Sequence, residues 1–166
     1  MDLHAIAPHI PRLRRYARAL AGDQHAADDL VQDTLERAIN KRHLWRPDSD
    51  LRAWLFAIMH NVFVNQLRAR SAHPEAALAD DDLPPVPSAQ GARLEIRDLE
   101  SALALLPPEQ REIVLLVGLE QFSYAEVARA LDIPIGTVMS RLFRGRERLR
   151  TLVTGALPAP ALKAVK

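Results

Sequence analysis

Cysteine is absent from the 166 residues, which removes disulfides and thiolate metal ligands. Glycine occurs six times and never in the GxxxxGKS/T spacing by which a loop cradles phosphate. No serine sits in a glycine-flanked nucleophile elbow. The six histidines (His4, His9, His25, His43, His60 and His73) are scattered and form no HxxxH or HExxH pair to hold a metal. Apolar runs fall far short of the ~20 residues that span a bilayer. The N-terminus lacks the uninterrupted apolar core of a signal peptide. Strand-like alternation and internal repeats are also missing. The expectation is an all-α, cytoplasmic protein with no membrane contact of its own, no catalytic residue, no metal and no cofactor.

Composition is that of an ordinary globular chain, with 48% hydrophobic and 26% charged residues. A net charge of +1 gives no global basic character, but the charge is uneven. Residues 1–70 carry eleven Lys/Arg against eight Asp/Glu, residues 71–93 one against four, and residues 94–166 ten against nine. An acidic connector therefore separates two mildly basic segments. It contains Pro74, Pro84, Pro85 and Pro87 with Asp80, Asp81 and Asp82. It lacks periodicity and large apolar groups, and reads as a flexible tether that lets the two segments reorient. Two small helical bundles joined by this acidic, Pro-rich linker are the expected architecture, the second carrying a helix-turn-helix. The divisions fall at 8–70, 71–93 (linker), 94–152 and 153–166 (disordered tail).

Helical periodicity places a first helix at 11–21, ended by Gly22 and Asp23, and a second at 25–41. The second has Ala27, Leu30, Val31, Thr34, Leu35 and Ala38 on its apolar side, with Asp29, Gln32, Asp33 and Glu36 opposite. Taken alone, that acidic face is simply solvated. A polar loop containing Trp45 leads to a third helix, capped by Ser49 or Asp50 and running to about residue 70. Two apolar strips make that helix buried on more than one side. Asn61 and Asn65 lie four apart on it, near Arg68; their amides suit either base edges or hydrogen bonds within the bundle. After the connector, helical pattern resumes at Leu94, breaks at Pro107 and Pro108, and resumes again at Glu109 until Gly118.

The segment 122–150 holds two helical patterns with a very short break. Ser123 and Glu126 form a capping box, Pro134 stops the first helix, and Gly136 is expected to supply the turn. The second helix is expected from Thr137 to Arg150, with Val138, Leu142 and Leu149 buried. Arg141, Arg144, Arg146, Arg148 and Arg150 crowd its outer face, with Glu147 the only acid. Such a face can be a solvated helix end that complements the helix dipole. Capping box, short turn and arginine cluster together favour a DNA-binding helix-turn-helix.

Four stretches then carry a resemblance: DDLVQDTLERA at 28–38, LRAWLFAIMHNVFVNQLRAR at 51–70, LPPEQREIVLL at 106–116 and FSYAEVARALDIPIGTVMSRLFRGRERLR at 122–150. In that order and spacing they resemble the extracytoplasmic-function sigma factors, the compact two-domain initiation factors of bacterial RNA polymerase. The resemblance covers residues 8–152. It implies that the protein directs core RNA polymerase to specific promoters in a stress or envelope-type response, and that it becomes nucleoid-associated when active. It implies that Asp29, Gln32, Asp33 and Glu36 dock on the polymerase, and that Trp45, Asn61, Asn65 and Arg68 contact the downstream promoter box. It also implies that Thr137, Met139, Ser140, Arg141, Phe143, Arg144 and Arg148 bind the upstream box. An anti-sigma factor is the implied regulator. One departure stands out: many relatives place a basic residue directly after GTV, and this chain has Met139. Two other readings share these features, a sigma-mimic that titrates an anti-sigma factor and a stand-alone helix-turn-helix regulator.

Overall fold

The computed structural model describes residues 1–72 and 92–155, with side chains from 97 onward in the second stretch. The expected linker core and the end of the tail lie outside the described residues. Every regular element among the described residues is helical. A short α1 (Leu3–Ile6) and a 3₁₀ turn (Ala7–His9) lead into α2 (Ile10–Ala21), followed by α3 (Gln24–Asn40). A second 3₁₀ turn (Arg42–Leu44) precedes α4 (Leu51–Ala72). The C-terminal half comprises α5 (Ala92–Leu105), α6 (Pro108–Gly118), α7 (Tyr124–Leu131) and α8 (Ile135–Thr154).

Local chemistry sets the boundaries. Gly22 ends α2 with a left-handed φ of 76°, open to glycine because it has no Cβ. Asp23 then caps α3, its carboxylate accepting from the His25 and Ala26 amides. Those bonds, the Ala26 one foremost, hold its carboxyl below the usual range. Asp50 caps α4 by accepting from the Arg52 amide at 2.9 Å. The capping box is present in both directions, Ser123 N–H to Glu126 Oε2 at 2.7 Å and Glu126 N–H to Ser123 Oγ at 3.1 Å.

The turn between α7 and α8 differs from the expectation. Asp132, not Gly136, takes the left-handed conformation, with φ 53°. The Asp132 and Ile133 amides donate back to Arg129 and Ala128 carbonyls, closing a Schellman motif. Aspartate tolerates this region better than most residues. Gly136 already lies in the first turn of α8, which starts two residues earlier than periodicity suggested and runs on to Thr154. Leu149 is half-buried, and Gly145 takes a buried place instead. A Cβ at Gly145 would stand 2.7 Å from Val114 Cγ2, so α6 and α8 approach backbone to backbone.

In the first half α2 packs on α3 and α3 on α4; in the second, α8 packs on α5, α6 and α7. The two halves also dock on each other, α4 against α7 and α2 against α5 and α6. One apolar cluster runs through both, from Leu13, Leu20, Leu30 and Leu55 to Ile113, Val127 and Val138. The halves are docked on each other here, while the connector expected to let them reorient lies outside the described residues.

Aromatic rings and buried charges make the joint. Phe56 meets Tyr16 edge-on at 5.0 Å and Phe122 at 5.3 Å, so α2, α4 and the α6–α7 turn share one stack. Arg52 lies 4.2 Å over the Phe122 ring and donates to the Glu120 carbonyl at 3.1 Å. Glu120 is buried and takes Arg15 Nη2 at 3.0 Å, while its Oε2 has no hydrogen-bond partner. Buried Glu112 holds His60 Nδ1 at 2.6 Å. Burial, then the charges of Glu112 and Glu120, raises the Tyr16 pKa well above its ordinary value. Gln121 sits between Glu120 and Phe122 at φ 60°; this left-handed residue turns both neighbours inward at a cost of about 1–2 kcal/mol.

Arg111 completes the joint. Its Nε donates to Leu103 O at 2.8 Å, Nη1 to Leu20 O at 2.8 Å, and Nη2 to Ala104 O at 2.9 Å and Leu106 O at 2.8 Å. These carbonyls lie at the ends of α5 and α2, where backbone donors run short; Leu103 O also takes the Leu106 amide at 3.1 Å. Burial pulls the Arg111 pKa below its ordinary value, yet a guanidinium stays charged.

Two predictions follow from this packing. Arg111→Lys should cost about 2–3 kcal/mol, since an ammonium cannot match a planar fork that serves carbonyls of two helices. Urea unfolding of the full chain measures it; a loss below about 0.5 kcal/mol, the size of a neutral surface change, would show that the carbonyls find other donors. Alanine at two glycines of one helix should act with opposite signs. Gly136, with nothing within 4 Å of its Cβ position, should gain up to about 1 kcal/mol from helix propensity. At Gly145 the stiff Val114 must yield, and overpacking of about 1–3 kcal/mol should exceed that gain. Equal shifts in Tm for the two variants would refute the close approach of α6 and α8.

Candidate functional surfaces

Asp29, Gln32, Asp33 and Glu36 all lie exposed on α3. Their i, i+3, i+4, i+7 spacing makes one face. Asp29 stands 3.6 Å from His25 Nε2, and Asp33 Oδ2 accepts from Gln66 Nε2 of α4 at 3.1 Å. Gln32 and Glu36 also border an open groove between α2 and α3, lined in part by Arg14, Val31, Leu35 and Ile39. The face is thus acidic at its crest, with an apolar floor beside it.

Asn61, Asn65 and Arg68 are exposed along α4, again one face by their spacing. Neither asparagine has a hydrogen-bonded side chain among the described residues. Trp45 is half-buried in the α3–α4 connection, its indole N–H buried without a partner among the described residues. No hydrogen bond or ring contact joins it to the asparagines among the described residues. His60, next to Asn61, turns the other way into the joint with Glu112.

On α8, Met139, Ser140, Phe143, Arg144 and Arg148 are exposed, and Thr137 and Arg141 half-buried. Val138 and Leu142 anchor the opposite side in the core. Glu147 is engaged by Arg150 Nη2 at 3.0 Å. Arg141, Arg144, Arg146 and Arg148 have no ion-pair partner among the described residues. The arrangement is a helix on a short turn, seated on α5, α6 and α7 and presenting unneutralised guanidinium groups. Among the described residues no helix is long and apolar enough to cross a membrane.

Comparison with known proteins bears on these surfaces. Residues 6–60 match the Sigma2 domain of PhyR, and residues 96–149 match Sigma-70, region 4. The ECF RNA polymerase sigma factor EcfG of Rhodopseudomonas palustris (strain TIE-1) is 40% identical over 146 residues, covering 87% of this chain and 80% of that protein. The chain belongs to the ECF RNA polymerase sigma factors. Among solved structures, the sigma factor RpoE in complex with the anti-sigma factor NepR from Bartonella quintana is similar at a TM-score of 0.74 and 36% identity, covering 91% of this chain and 95% of that one. CnrH in complex with the cytosolic domain of CnrY is similar at a TM-score of 0.68 and 27% identity, covering 93% of this chain and 88% of that one.

Sequence reasoning missed the residues that dock this sigma factor's halves, Arg15, Arg52, His60, Arg111, Glu112 and Glu120. For Glu112 a signal existed: it lies three and four residues before buried Leu115 and Leu116, in phase with the core stripe of α6. For the arginines and His60 none did, since their partners lie 52 or more residues away, as at His60–Glu112, or on backbone carbonyls.

Proposed function

We propose that this sigma factor directs core RNA polymerase to specific promoters by three surfaces. The acidic crest of α3 (Asp29, Gln32, Asp33, Glu36) docks on a basic surface of the polymerase, where charge complementarity sets register and association rate. Trp45 with Asn61, Asn65 and Arg68 contacts the downstream box, where pulling one base from the stack costs only a few kcal/mol. Helix α8 enters the major groove of the upstream box as duplex. The observation that carries the reading is the order of the two sigma-type matches along one chain, each with an exposed face of suitable charge. An anti-sigma partner is supported by RpoE, solved in complex with the anti-sigma factor NepR. The protein works in the cytoplasm, at the nucleoid when active, in a stress or envelope-type response.

A second reading rests on the match of residues 6–60 to the Sigma2 domain of PhyR, a protein solved, like RpoE, with the anti-sigma factor NepR. There the chain would titrate an anti-sigma factor and need no promoter. Run-off transcription with purified core polymerase separates the two: promoter-specific transcripts support the first reading, and none over any genomic template supports the second. In the same assay, Asp29→Lys with Asp33→Lys should weaken core binding at least tenfold while helical content stays native. Unchanged affinity for core would show that polymerase docks elsewhere.

Positioning and reading should separate on α8. Arg141, half-buried at the flank, is assigned to phosphate, and Arg144, exposed beside Ser140, to a base edge. Arg141→Ala should weaken all duplexes alike and reduce the salt slope by about one. Arg144→Ala should cost roughly 1–3 kcal/mol at one base position only. Titration of single-base variants of a bound promoter across salt checks both. A uniform loss for Arg144→Ala would move the reading residue elsewhere.

A further inference from the structure

Five large apolar side chains of α8 are exposed; apart from Leu152 and Val153 near its C-terminal end, they are Ile135 at 50%, Met139 at 51% and Phe143 at 68% exposure. Successive members are four residues apart, so they form a single ridge along the outer side of α8. Core packing does not explain them, because Val138 and Leu142 fill the inner side. The ridge lies in a field of arginines. Arg141, Arg144, Arg146 and Arg148 have no ion-pair partner among the described residues, and the helix's one acid is engaged by Arg150. The matching partner is therefore a polyanion that also displays apolar groups. Duplex DNA meets both conditions, since the major groove shows the thymine C5-methyl between phosphate walls. An apolar protein groove would leave those guanidinium groups unmatched unless it were strongly acidic.

We propose that Met139, with Ile135 one turn before it and Phe143 one turn after, reads thymine methyl groups in the upstream promoter box. The inference rests on the reading of α8 as the helix that enters the groove. A thioether has no proton to give a guanine O6 or N7, so position 139 cannot select guanine as a basic residue would. Its flexible, polarizable chain instead closes around a methyl group. The preferred base facing it is thymine, and the selectivity comes from a buried methyl, worth about fourfold in affinity.

The test uses the full chain assembled with core polymerase. Upstream boxes are selected from a random duplex pool, and each selected thymine is replaced singly by uracil, which removes only the methyl. At one or two adjacent positions, uracil should weaken binding about fourfold. Met139→Ala should abolish that penalty, and Met139→Leu should keep most of it; both are good helix formers at an exposed site. Uracil tolerated everywhere, or a penalty that Met139→Ala retains, overturns the inference while leaving the sigma-factor reading standing. Enrichment of no duplex at all overturns both. Peroxide oxidation of Met139 gives an independent readout: protection by promoter duplex is expected. Protection by core polymerase without DNA would assign the ridge to a protein partner and overturn the inference.

Discussion

Arg111 donates to four backbone carbonyls, three where α5 ends and one where α2 ends, and the seating of each half on the other depends on it. Helix C-termini carry unpaired carbonyls and a partial negative charge. Two such ends converge here from different halves of the chain. A guanidinium is the side chain whose donors are numerous, planar and permanently charged, so it can satisfy both at once. Lying on α6, Arg111 also fixes that helix, and α6 carries Glu112 to His60 and packs against the glycine face of α8. The recognition helix is thus positioned through the same short element that closes the joint.

Local features of the fold were legible because their causes are local. The bounds of α2, α3 and α4 follow from apolar spacing and from Gly22, Asp23 and Asp50, each acting within a few residues. The capping box at Ser123 and Glu126 is a four-residue event. The α7–α8 turn shows where such reasoning slips. Glycine, lacking a Cβ, is the residue expected to supply the turn, but the Schellman hydrogen bonds place the left-handed residue directly after Leu131, where Asp132 stands. The joint between halves was illegible for a different reason. Its members pair across the chain, and an arginine bound to carbonyls leaves no complementary residue to find. Only Glu112, in phase with Leu115 and Leu116, betrays itself, and an acid in a core stripe reads as an anomaly until its partner is known.

The candidate surfaces and the joint use different faces of the same helices. On α4, His60 and Arg52 turn inward while Asn61, Asn65 and Arg68 face solvent. On α3, Leu30 and Thr34 are buried and the four acidic-face residues exposed. On α8, Val138, Leu142 and Gly145 are seated while Met139, Ser140, Phe143 and Arg144 stand free in solvent. Burial therefore explains half of each helix, and what it leaves over is a coherent charge on α3 and on α8. That residue of unexplained chemistry, more than any single motif, is what ties the sequence resemblance to an activity.

The composition of the joint also bears on how strongly the halves are held. A buried ion pair or histidine–carboxylate contact loses about as much hydration as it gains in attraction, so it fixes geometry more than it adds stability. Glu120 illustrates this, with one oxygen paired to a half-exposed Arg15 and the other unsatisfied. The Tyr16–Phe56–Phe122 stack supplies the joint's apolar attraction, but it is only three rings wide. Each half, by contrast, keeps buried leucines and valines of its own, such as Leu13, Leu30 and Leu55 in one and Val127 and Val138 in the other. Opening the joint returns its charged side chains and several carbonyls to water, which offsets much of the lost contact energy. A partner that binds the α3 crest or α8 more tightly in one arrangement than the other can then choose between docked and parted halves through that difference in affinity alone, without unfolding either bundle.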